Sequence, residues 1–448
     1  MTDPVSQFIV AACVPRSRGH ASGDVVEANA ILAAHPEVAA TSIHVAAILG
    51  DDAAIARFLA ADPASATAKG GPHNWDPLTH LCFSNYLKLS PERSDAFVRA
   101  ARLLLDAGAS ANAGWLEDEH DPKPTWESVL YGASGVAHHP GVTALLLARG
   151  ADPNDDETPY HTPETDDNRC LELLVGTGRM TDENLSMMLV RKCDWHDFDG
   201  AKFLVEHGAS PNLVRNRGWM PLHHSVERDN RLEIVELLLD HGGDPAQVNE
   251  GQTVIARAAR RGRGDVLAAI TKRGFALDLH GVDELLGACA MHDRERVRAI
   301  AANSPAVVGE LLAHGGDHTA RFAGTWNTEG VALLVELGVP VDATYGGESY
   351  FGTPGGSTAL HVAAWRGVAE TVQRLIELGA DVNRRDGRGE TPLQLAIKAA
   401  TESYWTYRRT PEAVRALLAA GASVAGMKYP CGYEEVDAML QAAGAGSA

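Results

Sequence analysis

The most constraining feature of this 448-residue chain is a short ending that recurs about every 35 residues. It reads Leu-Ala-Ala-His35, Leu-Ala-Ala-Asp62, Leu-Asp-Ala-Gly108, Leu-Ala-Arg-Gly150, Val-Gly-Thr-Gly178 and Val-Glu-His-Gly208 in the first half. It continues as Leu-Asp-His-Gly242, Thr-Lys-Arg-Gly274, Ala-Ala-Asn-Ser304, Val-Glu-Leu-Gly338, Ile-Glu-Leu-Gly379 and Leu-Ala-Ala-Gly421. A unit of that length is too small to bury its own apolar face, so neighbouring units must stack into one continuous core.

The clearest copy is Ser357-Thr-Ala-Leu-His-Val-Ala-Ala-Trp-Arg-Gly367, closing with Leu375-Ile-Glu-Leu-Gly-Ala-Asp-Val-Asn383. It resembles an ankyrin repeat: a Thr-Pro-Leu-His-x-Ala-Ala helix start, a Gly turn, an apolar second helix and a Gly-Ala-Asp exit. Residues 41–47, 220–226 and 391–397 carry the same start. The resemblance implies an all-α ankyrin-repeat solenoid of about twelve helix-turn-helix units, with long tip loops in the terminal units, similar to diverged bacterial-type members. The expected organisation is one array over 7–440. Residues 7–35 would be an N-terminal capping repeat, 36–421 the central repeats, 422–440 a C-terminal capping helix and 441–448 a frayed tail.

Some units depart from the pattern. The match is poor over 181–200 and poorest over 304–330. There, Glu310-Leu-Leu-Ala-His-Gly-Gly-Asp317 imitates an ending, with the true one expected at Gly338. Pro163 falls inside an expected first helix, where it removes a hydrogen bond and clashes with the preceding turn, so that unit should be distorted. His314 and His318 have helical spacing, but Gly315-Gly316 between them argues against a helix.

Composition narrows the function. A formal net charge of −20 argues against a general nucleic-acid or anionic-membrane surface. Six cysteines lack Cys-x-x-Cys spacing, which fits reduced thiols and a cytoplasmic setting. The run Phe8-Ile-Val-Ala-Ala-Cys-Val14 has no basic leader and is too short for a membrane span, so it reads as the first capping helix.

Function should sit on the first helices and turns, which line a concave face in ankyrin-like arrays. By resemblance, the contact positions are Arg217, Trp219 and Arg228, then Arg260 and Arg261, then Trp365 and Arg366. Arginine matches carboxylate or phosphate, and Trp and Arg are enriched among binding hot spots. The long segments contribute Trp115, Trp126, Tyr350 and Trp405, which either tuck under their own loops or overhang the groove. The expected role is a module that binds a protein or acidic peptide in its groove through Arg/Trp anchors. The alternative is an enclosed pocket for a small anionic ligand.

Catalysis has a thinner basis. His161 and Glu164 in one unit, His196 in the next and His224 in the third could meet on one wall, where a histidine near carboxylates can act as a base. No nucleophile motif, phosphate-cradling glycine loop or convergent metal-ligand set accompanies them, and no cofactor or metal is expected. His44, His161, His223 and His361 occupy the repeat's own histidine position, which by resemblance ties neighbouring turns together.

Overall fold

The computed structural model describes residues 3–14, 23–118, 123–213, 218–403 and 409–446. They group into two compact units, Met1–Gly243 and Asp244–Ala448. Each unit is a stack of short antiparallel helix pairs, in which the first helix of a pair packs on the next first helix.

In the N-terminal unit, Pro4–Ala12 opens the chain, capped by the Asp3 carboxylate on the amides of Val5 and Ser6. Phe8, Ile9, Ala11 and Ala12 bury against the neighbouring pairs, which accounts for that apolar run. Small residues decide how closely first helices approach. Ala46-Ala47 in one unit and Ala258-Ala259 and Ala363-Ala364 in the other are all fully buried where the helices meet. Second helices supply the larger side chains, such as Ile55, Leu104, Leu146 and Leu238, each worth about 1.5–3 kcal/mol when buried.

The recurring endings share one physical cause. Gly108, Gly150, Gly178, Gly208, Gly242, Gly274, Gly338, Gly379 and Gly421 all lie at positive φ, the left-handed cap that glycine adopts without a Cβ penalty. The three endings without glycine, His35, Asp62 and Ser304, are each followed by proline. Their φ values are −135°, −150° and −137°, so the chain leaves the helix extended and restarts on the proline.

Glu310 to Ala313 form the last turn of an additional helix, Pro305–Ala313, ahead of the ending at Gly338. One expectation needs correction. Gly315-Gly316 does not break the chain: it begins the helix Gly315–Gly324. A Cβ on Gly315 would come 2.7 Å from Val339, and one on Gly316 would come 2.1 Å from the Thr344 carbonyl oxygen. These glycines are there for close approach, and packing outweighs their poor helix propensity. The distortion expected at Pro163 is present: the helix Thr158–His161 has only four residues.

The N-terminal unit's long interval ending at Gly150 holds an antiparallel hairpin, Gly114–Glu117 with Thr125–Ser128, in the register Trp115 to Glu127 and Leu116 to Trp126. The C-terminal unit has two shorter strand pairs, Val248–Asn249 with Gln252–Thr253 and Thr344–Tyr345 with Ser357–Thr358. That unit closes with the helix Glu434–Ala442, which packs on Glu412–Ala419. All six cysteines are free thiols, and five are buried.

Candidate functional site

Two of the four repeat-position histidines are seen to do what the motif implies. His44 Nε2 lies 2.8 Å from the Ala68 carbonyl, and His361 Nε2 lies 3.0 Å from that of Arg384. His223 is 1% exposed in the core. His161 differs, because both ring nitrogens face carboxylates: Nε2 is 3.1 Å from Glu157 and Nδ1 is 3.0 Å from Glu164. Burial pulls its pKa down, but the two carboxylates outweigh that and hold it up at about 9. The imidazolium is therefore a structural cation rather than an available base.

From His161 an alternating ladder of charge runs across three consecutive pairs. Glu164 also binds Arg191, which rises from the helix Asp182–Asp194 and binds Asp194 with its other nitrogen. Asp194 accepts from His224 Nε2 at 2.8 Å and from Arg228 Nε at 2.8 Å. Burial would raise the Asp194 pKa, but the His224 hydrogen bond and the Arg191 and Arg228 guanidinium groups bring it to about 2. Burial lowers the pKa of His224, so it donates as a neutral ring. The Arg191 guanidinium lies 4.3 Å from the Tyr160 ring centroid and 5.4 Å from that of Trp195, and Trp219 packs 5.3 Å from His224.

Thus His161, Glu164 and His224 do meet on one wall, as the spacing suggested. His196 turns aside, with Nδ1 3.3 Å from Asn230 Nδ2. The centre of the wall is Arg191 and Asp194, which the repeat motif does not mark. An arginine followed by an aspartate three residues later on a helix is the sequence signal that could have found them. The ladder alternates sign, so each of its ions faces a partner of opposite charge.

The C-terminal unit treats its arginines similarly. Arg260 grips Asp283 with two nitrogens, and Arg261, 5% exposed, donates to Glu348 at 3.2 Å. Tyr345 Oη donates to the same Glu348 at 2.8 Å. Arg366, 2% exposed, stacks on Phe351 at 3.9 Å, and Tyr350 packs edge-on to Phe351 at 4.7 Å. The Trp365 indole donates to the Phe351 carbonyl. The loop bearing Tyr350 and Phe351 is therefore folded onto its own unit. Arg217 and Trp405 lie outside the described residues.

The hairpin of the N-terminal unit is arranged differently. Trp115 packs 5.2 Å from Trp75 and 6.0 Å from Phe83, and His73 stacks on Trp75 at 4.4 Å. Trp126 remains 46% exposed on the opposite face, beside Gly114, where a Cβ would come 2.9 Å from its indole nitrogen. His73, Trp75, Trp115, Leu116, Trp126 and Lys69 help to frame an opening of about 380 Å³. The Trp115 Nε1 and His73 Nε2 atoms are buried there with no hydrogen-bond partner among the described residues. Behind the hairpin, Glu127 is wholly buried; burial, with Glu157 and Glu117 nearby, pushes its pKa up to about 9.

Among the described residues, no group of three or more His, Cys, Asp or Glu side chains is placed to hold a metal ion. None of the described helices is long and apolar enough to cross a membrane.

Comparison with known proteins agrees with this architecture. A family described as ankyrin repeats in three copies matches residues 186–280, and one described as ankyrin repeats in many copies matches 334–396. The chain is 31% identical over 196 residues to the probable E3 ubiquitin-protein ligase XBOS33 of Oryza sativa subsp. japonica, covering 41% of this chain and 36% of that protein. It is 52% identical over 44 residues to Rabankyrin-5 of Homo sapiens, covering 10% of this chain and 4% of that protein. The solved ankyrin repeat domain of Bcl-3 aligns at 20% identity and a TM-score of 0.23, over 51% of this chain and 97% of that one. The chain thus spans about a third of the length of the rice relative. The matched segments lie on the helix pairs described above, so residues 186–280 and 334–396 of this all-α fold are ankyrin repeats.

Proposed function

We propose that this chain is a protein-interaction module whose anchors are tryptophans at the repeat turns and the hairpin. Ankyrin repeat domains generally serve as protein-interaction modules. The observation that carries the finer reading is the exposure of Trp126, Trp195 and Trp326 at 46%, 38% and 47%. Tryptophan is the residue type most enriched among binding hot spots, and exposing three indoles serves no purpose in the core. Trp326 adds a second reason. It sits at φ +59°, at a turn where other repeats place Gly262, Gly367, His196, Asp229 or His292. A bulky residue there is strained by about 1–2 kcal/mol, and strain of that kind is retained where it is used. The arginines expected as anchors take a different part in this reading. Arg228 is held by Asp194 in the N-terminal unit, and Arg260 and Arg261 by Asp283 and Glu348 in the C-terminal unit, so each serves its own unit as framework.

The test is capture of partners on the immobilised protein, with cross-linking mass spectrometry to locate contacts. Wild type is compared with Trp126→Ala/Trp195→Ala, with Trp326→Gly and with Arg260→Ala. Trp326→Gly keeps the fold, because glycine already occupies that turn elsewhere. A true tryptophan anchor costs about 2 kcal/mol or more when removed, roughly thirtyfold in affinity. Loss with Arg260→Ala and retention by every tryptophan variant would reject the assignment.

A further inference from the structure

The opening between the hairpin and the Gly70–Trp75 turn has a chemistry that the repeat motif does not specify. Its walls are indole and imidazole faces: His73 on Trp75, Trp75 against Trp115, and Trp126 at the rim. Indole faces carry negative quadrupole density and attract cations, Trp most strongly of the aromatic residues. The surroundings reinforce that sign. Glu117 and Asp118 lie on the hairpin, and Asp155 and Asp156 on the following turn, against Lys69 and Lys123. Burial lowers the His73 pKa, so its ring adds no competing positive charge.

Two polar atoms in the wall remain to be matched. Trp115 Nε1 is a donor and has no acceptor among the described residues, and His73 Nε2 is likewise unmatched. A bare cation offers no acceptor for an indole N–H, whereas a peptide brings carbonyl oxygens alongside a charged side chain. At about 380 Å³, the opening lies at the small end of the range for ligand pockets, and a single side chain can enter it.

We propose that the opening framed by His73, Trp75, Trp115 and Trp126 receives the cationic head of a lysine or arginine from a basic segment of a partner protein. This deepens the interaction-module reading and rests on it. It also reverses the partner's sign from that suggested by the arginine spacing: the arginines are internally paired, and the accessible aromatic site lies in acidic surroundings.

The probes are four blocked pentapeptides with glycine flanks and a central lysine, arginine, norleucine or glutamate. Binding is followed through the indole N–H resonances of the intact chain, assigned by Trp126→Ala and Trp115→Phe. The lysine or arginine peptide should bind at least about fivefold more tightly than norleucine, the range expected for a cation–π contact, and the glutamate peptide more weakly still. Trp126→Ala, which removes a half-exposed ring, should abolish that preference. Equal binding of lysine and norleucine would overturn the proposal, as would tighter binding of glutamate. Preference for lysine that survives Trp126→Ala would also overturn it, because the attraction would then come from net charge alone. If the peptides fail while the tryptophan variants still lose a captured protein, the interaction module stands and only the cationic pocket falls.

Discussion

Replacing Glu127 with glutamine should stabilise the N-terminal unit, and the gain should grow with pH. Glu127 is wholly buried on the inner face of the hairpin, paired across the strands with Trp115. Burial, then Glu157 and Glu117, raise its pKa from 4.5 to about 9. The folded pKa lies above the unfolded one, so the stability linked to this proton is fully present below about pH 4.5 and lost as pH rises toward 9. Within that window each pH unit costs the folded state about 1.4 kcal/mol. Glutamine keeps the shape and carries no proton to lose. Urea denaturation of both proteins at about pH 5 and about pH 8 should show their difference growing by about 4 kcal/mol. A constant offset from the amide's own hydrogen bonds would move both values equally, so the growth is the readout. Loss of a carboxylic-acid C=O infrared band in the variant is an independent check. Parallel pH profiles would refute the reasoning, because they would mean that Glu127 is already ionised in the folded chain.

Other consequences can be measured. Arg191→Met removes the cation that Glu164 and Asp194 share and leaves them with His161 and with His224 and Arg228. At neutral pH it should therefore cost less than a fully unpaired buried charge, which costs about 3–5 kcal/mol. That loss should shrink under acid, as the two carboxylates take up protons; an equal loss at both pH values would show that packing, not charge, is responsible. Gly316→Ala should destabilise the C-terminal unit by more than about 2 kcal/mol, because its Cβ meets a backbone carbonyl at 2.1 Å. Gly309→Ala, in the exposed part of the added helix with nothing within 4 Å, should instead stabilise by about 1 kcal/mol. The pair tests the close-approach argument by differential scanning calorimetry, and similar shifts for both would defeat it.

Much of the architecture is legible in the residue pattern, because it rests on local steric rules. Glycine at the second-helix end permits a left-handed cap, and proline after His35, Asp62 and Ser304 forces an extended exit. The same local rules misread Gly315-Gly316, whose helix exists because Val339 and Thr344 approach too closely for any side chain. The site was legible in part. His161, Glu164 and His224 fall on or beside first helices of the N-terminal unit, so stacking brings them to one wall. Arg191 and Asp194 stand outside the motif, and nothing in the motif shows that they join His161 to His224.

The sequence by itself determined the repeat, its period and its turns, since each depends on residues a few positions apart. Only the tertiary structure decided which charges meet. Arg191 reaches Glu164 across 27 residues, Arg228 reaches Asp194 across 34, and Arg261 reaches Glu348 across 87. In the proposed reading, those pairings make the arginines framework and leave Trp126, Trp195 and Trp326 as the accessible groups. The physical reason is that side-chain charge is satisfied by whatever stacking brings within hydrogen-bond reach, and stacking is a property of neighbouring units rather than of any one repeat.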